Sequence, residues 1–125
     1  DDGSVGYRLY LISGKIAIFP RDGVDSLDLR TDDAIYQDGV LHHVAYVHDK
    51  TNDTAYIYVD GEQVKSGSIS DIDTLTNSDT LTVGAESDGS AGVIGDLFKP
   101  RVFLSALTPT QIKEMARRDF KLINN

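Results

Sequence analysis

Thr54-Ala55-Tyr56-Ile57-Tyr58-Val59-Asp60-Gly61 is the stretch on which the fold turns. β-Branched and aromatic residues run straight into Asp-Gly, a pair suited to the two positive φ angles of a type I′ hairpin turn. The return strand is Glu62 to Lys65. Moving backward, Asp49-Lys50-Thr51-Asn52-Asp53 is a polar turn, and before it Val40 to His48 is a long run of branched and aromatic types. Three consecutive strands are therefore predicted around two turns. A second hairpin lies upstream: Tyr7 to Ile12 alternates with period two, Ser13-Gly14 breaks the pattern, and Lys15 to Phe19 resumes it. Pro20-Arg21-Asp22-Gly23 then turns the chain into a short apolar alternation at Leu27 and Leu29.

Downstream the pattern thins. Ser66 to Ser78 is polar and reads as a loop with at most one weak edge strand. Thr80 to Val83 reads as strand, Glu86 to Gly92 as a Gly/Ser/Asp loop, and Val93 to Leu104 as mostly strand. Pro100 interrupts the last of these, because it can donate no ladder hydrogen bond. Helical signals are confined to the end of the chain. Thr108-Pro109-Thr110-Gln111 is a capping box with Pro at the first helical position. Ile112, Met115 and Ala116 follow on one face, and Arg117 and Arg118 come near the end that favours cations. No fixed-period repeat and no linker divides residues 1–125, so one domain is predicted.

Composition limits what such a domain can do. The net charge of −8 argues against nucleic acid and anionic membranes as partners, since both attract basic patches. No apolar run reaches the length of a membrane span. Without Cys there is neither a disulfide framework nor thiolate chemistry. Seventeen Asp stand against three Glu; with eleven Gly, this is the composition of short strands joined by polar turns. Met115 is the only methionine, and the chain is expected to be the later part of a longer domain or chain.

Three ordered stretches resemble the laminin G-like, concanavalin A-like jelly-roll family. Asp38-Gly39-Val40-Leu41-His42-His43-Val44-Ala45-Tyr46-Val47 is similar to its "Trp-His-His-Val-Ala" strand. Ala55-Tyr56-Ile57-Tyr58-Val59-Asp60-Gly61 looks like its "Leu-Tyr-Val-Asp-Gly" hairpin. Leu81-Thr82-Val83-Gly84, through Gly92 to Arg101-Val102-Phe103 and Ala106-Leu107-Thr108, is similar to its closing strand and short helix. Tyr7-Arg8-Leu9-Tyr10-Leu11 suits an earlier strand. The resemblance implies an all-β antiparallel sandwich with one short C-terminal helix. It also implies strands before Tyr7, so additional polypeptide is expected to complete the sandwich near the Val93 to Leu104 strand. Leu41 stands where the family usually has Trp. Phe98 and Lys99 stand at its Asp-Glu pair, whose Asp often binds structural calcium; Phe cannot coordinate a metal. Asp96 lies two residues earlier.

Enzyme chemistry finds little footing. Glu62, Glu86 and Glu114 fall in a hairpin, a loop and a helix, not clustered along one strand as in jelly-roll glycosidases. There is no nucleophile elbow and no phosphate-cradling glycine loop. His42 and His43 are adjacent on an expected strand, so they point apart and cannot chelate one ion together. No catalytic residue is assigned. Two binding readings remain. Tyr56 and Tyr58 share a strand face and Tyr46 lies on the partner strand; such rings can stack on sugars, or equally cover the core. Asp71, Asp73 and Asp79 supply hard oxygens for calcium, although a solvated polar loop is the simpler reading of the same residues. No cofactor is required, and calcium is the ion these loops could take. The expected function is non-enzymatic recognition: lectin-like carbohydrate binding or adhesion, in an extracellular, cell-surface or virion setting. The alternative is a structural module docking on protein partners in a virion or surface array.

Overall fold

Asp60 and Gly61 adopt φ of 54° and 84°, the paired left-handed conformation of the type I′ turn that the sequence predicts. The structure, a computed structural model, describes residues 4–34, 36–85, 89, 90 and 92–123. Along these the chain forms β1 (Val5–Gly6), β2 (Leu9–Ile12), β3 (Lys15–Ile18), β4 (Arg21–Asp22), β5 (Leu29–Arg30), β6 (Val44–Asp49), β7 (Thr54–Val59), β8 (Glu62–Ser68) and α1 (Pro109–Ile123). All strand pairing is antiparallel, in sheets of order β1-β4, β2-β3-β5 and β6-β7-β8.

The core lies between the two three-stranded sheets. Ile16 and Ile18 of β3 and Leu29 of β5 pack with Ala55, Ile57 and Val59 of β7, and Ile69 and Ile72 complete the cluster. Alternation makes this possible: Tyr56 and Tyr58, between those core residues, point to the opposite face of the sheet. Two antiparallel sheets meeting through one apolar face each make a β-sandwich. One polar residue enters this region with its hydrogen bonds made. Thr31, 1% exposed, accepts from the Ile16 N–H at 3.2 Å and donates to the Asp33 carbonyl at 3.0 Å. A buried hydroxyl without such partners would be destabilising.

The far face of the β6-β7-β8 sheet is covered by α1. Ile112 packs with Val47 and Tyr58, with Leu107 alongside. The helix begins as predicted. The Gln111 N–H donates to Thr108 Oγ1 at 3.2 Å, and the Thr108 N–H donates to Gln111 Oε1 at 2.8 Å, a reciprocal capping box. Gly61 admits the helix: a Cβ there would lie 3.3 Å from the Lys113 backbone. Thr108→Ala is expected to lower stability by about 1 kcal/mol, read by urea denaturation; an unchanged midpoint would show that the cap contributes nothing.

Several boundaries differ from the sequence reading. The long run opens as strand at Val44, not Val40, because residues 40–43 are held by side-chain bonds described below. β8 continues to Ser68. Thr80 to Val83 and Val93 to Leu104 are not strands. Leu81, Val83, Val93, Ile94, Leu97, Phe98, Val102, Phe103 and Leu104 are instead exposed. Their composition favours β structure, but among the described residues no neighbouring strand completes a ladder with them. Lys99 at φ 49° and Pro100 also break the extension. Arg101 nevertheless fastens this segment to α1, with a bidentate pair to Asp119 at 2.8 and 2.9 Å. Residues 86–88 and 91, including Glu86 and much of the expected 86–92 loop, lie outside the described residues.

Candidate functional site

The β6-β7 register separates the three tyrosines. Val47 pairs with Tyr56 and Ala45 with Tyr58, whereas Tyr46 pairs with Ile57 and so shares the core face. Tyr46 packs against the sandwich core, and its ring lies 6.4 Å from that of Tyr7. Its hydroxyl donates to His48 Nδ1 at 2.6 Å. Burial raises the Tyr46 pKa and lowers that of His48, so the phenol keeps its proton and the neutral imidazole accepts it. Tyr46 therefore cannot join Tyr56 and Tyr58 in one sugar platform. This corrects the set of three.

Tyr56 and Tyr58 do act together. Their ring centroids lie 6.2 Å apart at 49°, and both line a groove of about 340 Å³ between the β6-β7-β8 sheet and the start of α1. Tyr58 is 3% exposed and supports the floor, while Tyr56 is half-buried. Val47, Asp49, Asn52 and Gln63 line the groove with residues 106–109. Asp49 stands on the Tyr56 face, two residues beyond Val47. Its carboxylate accepts from the Asn52 N–H at 3.2 Å and from Asn52 Nδ2 at 2.7 Å. The Asn52 side-chain bond is the chief cause holding Asp49 below the usual carboxylate range. Among the described residues, no hydrogen bond engages either tyrosine hydroxyl or the Gln63 amide. An aromatic floor, a fixed carboxylate and an open amide are thus gathered in one concave site. The tyrosine pair was legible in period two. The polar rim was missed, although Asp49-x-x-Asn52 is the signature of a turn closed by its own side chains.

The acidic trio does not converge. The Asp73 N–H donates to Asp22 Oδ2 at 2.7 Å, the Asp79 N–H to Asn77 Oδ1 at 2.8 Å, and Asp71 accepts from Ser70 Oγ at 3.3 Å. Among the described residues, no three His, Cys, Asp or Glu side chains form a group able to hold a metal ion. Asp71, Asp73 and Asp79 are thus not brought together as one ligand set: Asp71 engages its partner through its carboxylate, whereas Asp73 and Asp79 engage theirs through backbone N–H groups.

His42 and His43 diverge as the sequence predicts. His42 sits between two carboxylates, with Nδ1 2.8 Å from Asp60 and Nε2 3.1 Å from Asp38, and its ring meets Tyr36 edge-on. Asp60 also accepts from the His43 N–H at 3.0 Å, so the turn residue anchors the entry to β6. Burial alone would lower the His42 pKa, but the bonds to Asp60 and Asp38 outweigh it and raise it. His43 points to α1, where Nε2 is 3.7 Å from Asp119; its Nδ1 is buried without a partner among the described residues, and burial lowers its pKa. Because folding raises the His42 pKa, the clamp contributes fully below the ordinary value of 6.5 and fades as pH rises through the folded value. The stability difference between the native chain and His42→Gln should therefore shrink from pH 6 to pH 8. Chemical denaturation across that range checks it; a constant difference would contradict the clamp.

A comparison with family models agrees with this architecture. A laminin G family model, described as the concanavalin A-like lectin/glucanases superfamily, matches residues 1–113. The chain belongs to this superfamily. Among solved structures, an S-layer domain-containing protein from Clostridium thermocellum is similar at 24% identity, with a TM-score of 0.46. The match covers 93% of this chain and 59% of that one. A search of the curated proteins found no match. In this superfamily member, Glu62 pairs with Lys113 and Glu114 with Arg117, both on the exposed surface. No helix among the described residues is long and apolar enough to cross a membrane.

Proposed function

We propose that this domain is a non-catalytic recognition module that binds a glycan in the Tyr56–Tyr58 groove, in an extracellular, cell-surface or virion setting. The carrying observation is that the half-buried Tyr56 ring lies beside Asp49, Asn52 and Gln63 in one groove. Sugar rings present an apolar face ringed by hydroxyls, and this site offers the complement of both. The superfamily's lectins support the reading. Tyr56→Ala is expected to weaken oligosaccharide binding about tenfold, measured by calorimetry, through loss of stacking worth on the order of 1 kcal/mol. Tyr46→Phe, on the other face, should leave affinity unchanged. Equal affinities for the native chain and Tyr56→Ala would remove the groove from the account.

A second reading rests on a separate observation. Leu9 and Leu11 share a sheet face with Ile18 and Ile16 yet remain exposed, as does the apolar series from Val93 to Leu104. An extended apolar strand from other polypeptide would cover these side chains and pair the open backbone. It would make the domain a docking module of a virion or surface array. Amide exchange at 93–104 should then be fast in the isolated chain and slow in its assembly; fast exchange in both would contradict strand addition.

A further inference from the structure

We infer that the Tyr56–Tyr58 groove selects neutral sugars over acidic ones, an inference that rests on the glycan reading above. Among the described residues, Asp49 is the one charged side chain lining the groove. Its carboxylate is held ionised, chiefly by the Asn52 side chain, and those two bonds leave oxygen lone pairs for further donors. Sugar hydroxyls are such donors, and a charge-assisted O–H···O⁻ bond is stronger than a neutral one. A carboxylate or sulfate on the sugar has no proton to offer and meets the Asp49 charge directly.

Nothing in the groove offsets that repulsion. Among the described residues, no Lys or Arg lines it. Lys113 on α1 is paired with Glu62 at 3.0 Å on the exposed surface. The net charge of −8 extends the same bias to the approach of any anion. The volume of about 340 Å³ sits at the small end of ligand pockets, fitting one or two sugar rings, not a buried chain. One ring on Tyr56, with adjacent hydroxyls directed to Asp49 and to Asn52 or Gln63, uses every feature of the site.

The test compares neutral oligosaccharides with their uronic-acid counterparts by calorimetry on the 125-residue chain, at low and at physiological salt. Neutral sugars should bind at least about tenfold more tightly, with the gap narrowing as salt rises. Gln63→Lys, which leaves the Asp49–Asn52 turn intact, should bring acidic sugars to near parity. Asp49→Asn should weaken neutral sugars and reduce the discrimination. Acidic sugars binding as tightly as neutral ones in the native chain would overturn the selectivity while leaving glycan recognition standing. Absence of binding by either class would overturn both.

Discussion

Ile57→Ala is expected to lower the free energy of unfolding by about 3 kcal/mol and the melting temperature by on the order of 10 °C. Ile57 is 0% exposed and lies in the middle of β7, the central strand of its sheet. It packs in the cluster formed with Ile16, Ile18 and Leu29 of the opposing sheet. Three carbon atoms would be removed from the seam between the two sheets, where strands hydrogen-bonded on both sides cannot close the void. Ile57→Val, which removes a single methylene, should cost about 1 kcal/mol. Equilibrium urea denaturation of both variants gives the comparison. A loss under about 1 kcal/mol for Ile57→Ala would mean that the sheets do not meet at this residue.

Gly14→Ala should be nearly as damaging, for a different reason. Gly14 turns β2 into β3 at φ 77°, where an L-residue is strained by roughly 1–2 kcal/mol. A Cβ there would also lie 2.5 Å from the carbonyl oxygen of Ala34. That atom belongs to backbone, and the segment is tied in place by the Tyr36 N–H donating to the Gly14 carbonyl at 2.9 Å. Conformational strain and collision together are expected to cost about 3 kcal/mol. Gly39 provides the matched control, with the same φ of 77° and nothing within 4 Å of its added Cβ. Gly39→Ala should cost the conformational part alone, about 1 kcal/mol. Equal losses at the two sites, measured by denaturation, would show that the close approach at Ala34 is relieved without cost.

The hairpins were legible because their signals are local. Asp60-Gly61 fixes a turn through φ preferences alone, and the alternation of Tyr56, Ile57 and Tyr58 assigns opposite faces. The capping box at Thr108 and Gln111 is equally local, and it forms as read. What the sequence could not supply was pairing between distant segments. Val93 to Leu104 has strand composition, but a strand also needs a neighbour, and composition says nothing of whether one is present. The same limit applied to the site. Period two placed Tyr56 and Tyr58 together, while the side of Tyr46 depended on the β6-β7 register. Asp71, Asp73 and Asp79 looked like ligands in a row; their loop is pinned through Asp22, some fifty residues earlier, a contact with no sequence signature. Asp22 accepts three backbone N–H groups, that of Asp73 foremost, which lowers its pKa.

Sugar binding in the groove beside α1 would leave its mark on the residues that line it. The most direct measurement is an amide and tyrosine-ring NMR titration of the chain with a neutral oligosaccharide. Saturable shifts are expected at Asp49, Asn52, Tyr56, Gln63 and Leu107, with Tyr46 and His48 on the opposite face unmoved. Saturable shifts confined to the core-side residues or to the 93–104 segment, with the groove silent, would contradict sugar binding there.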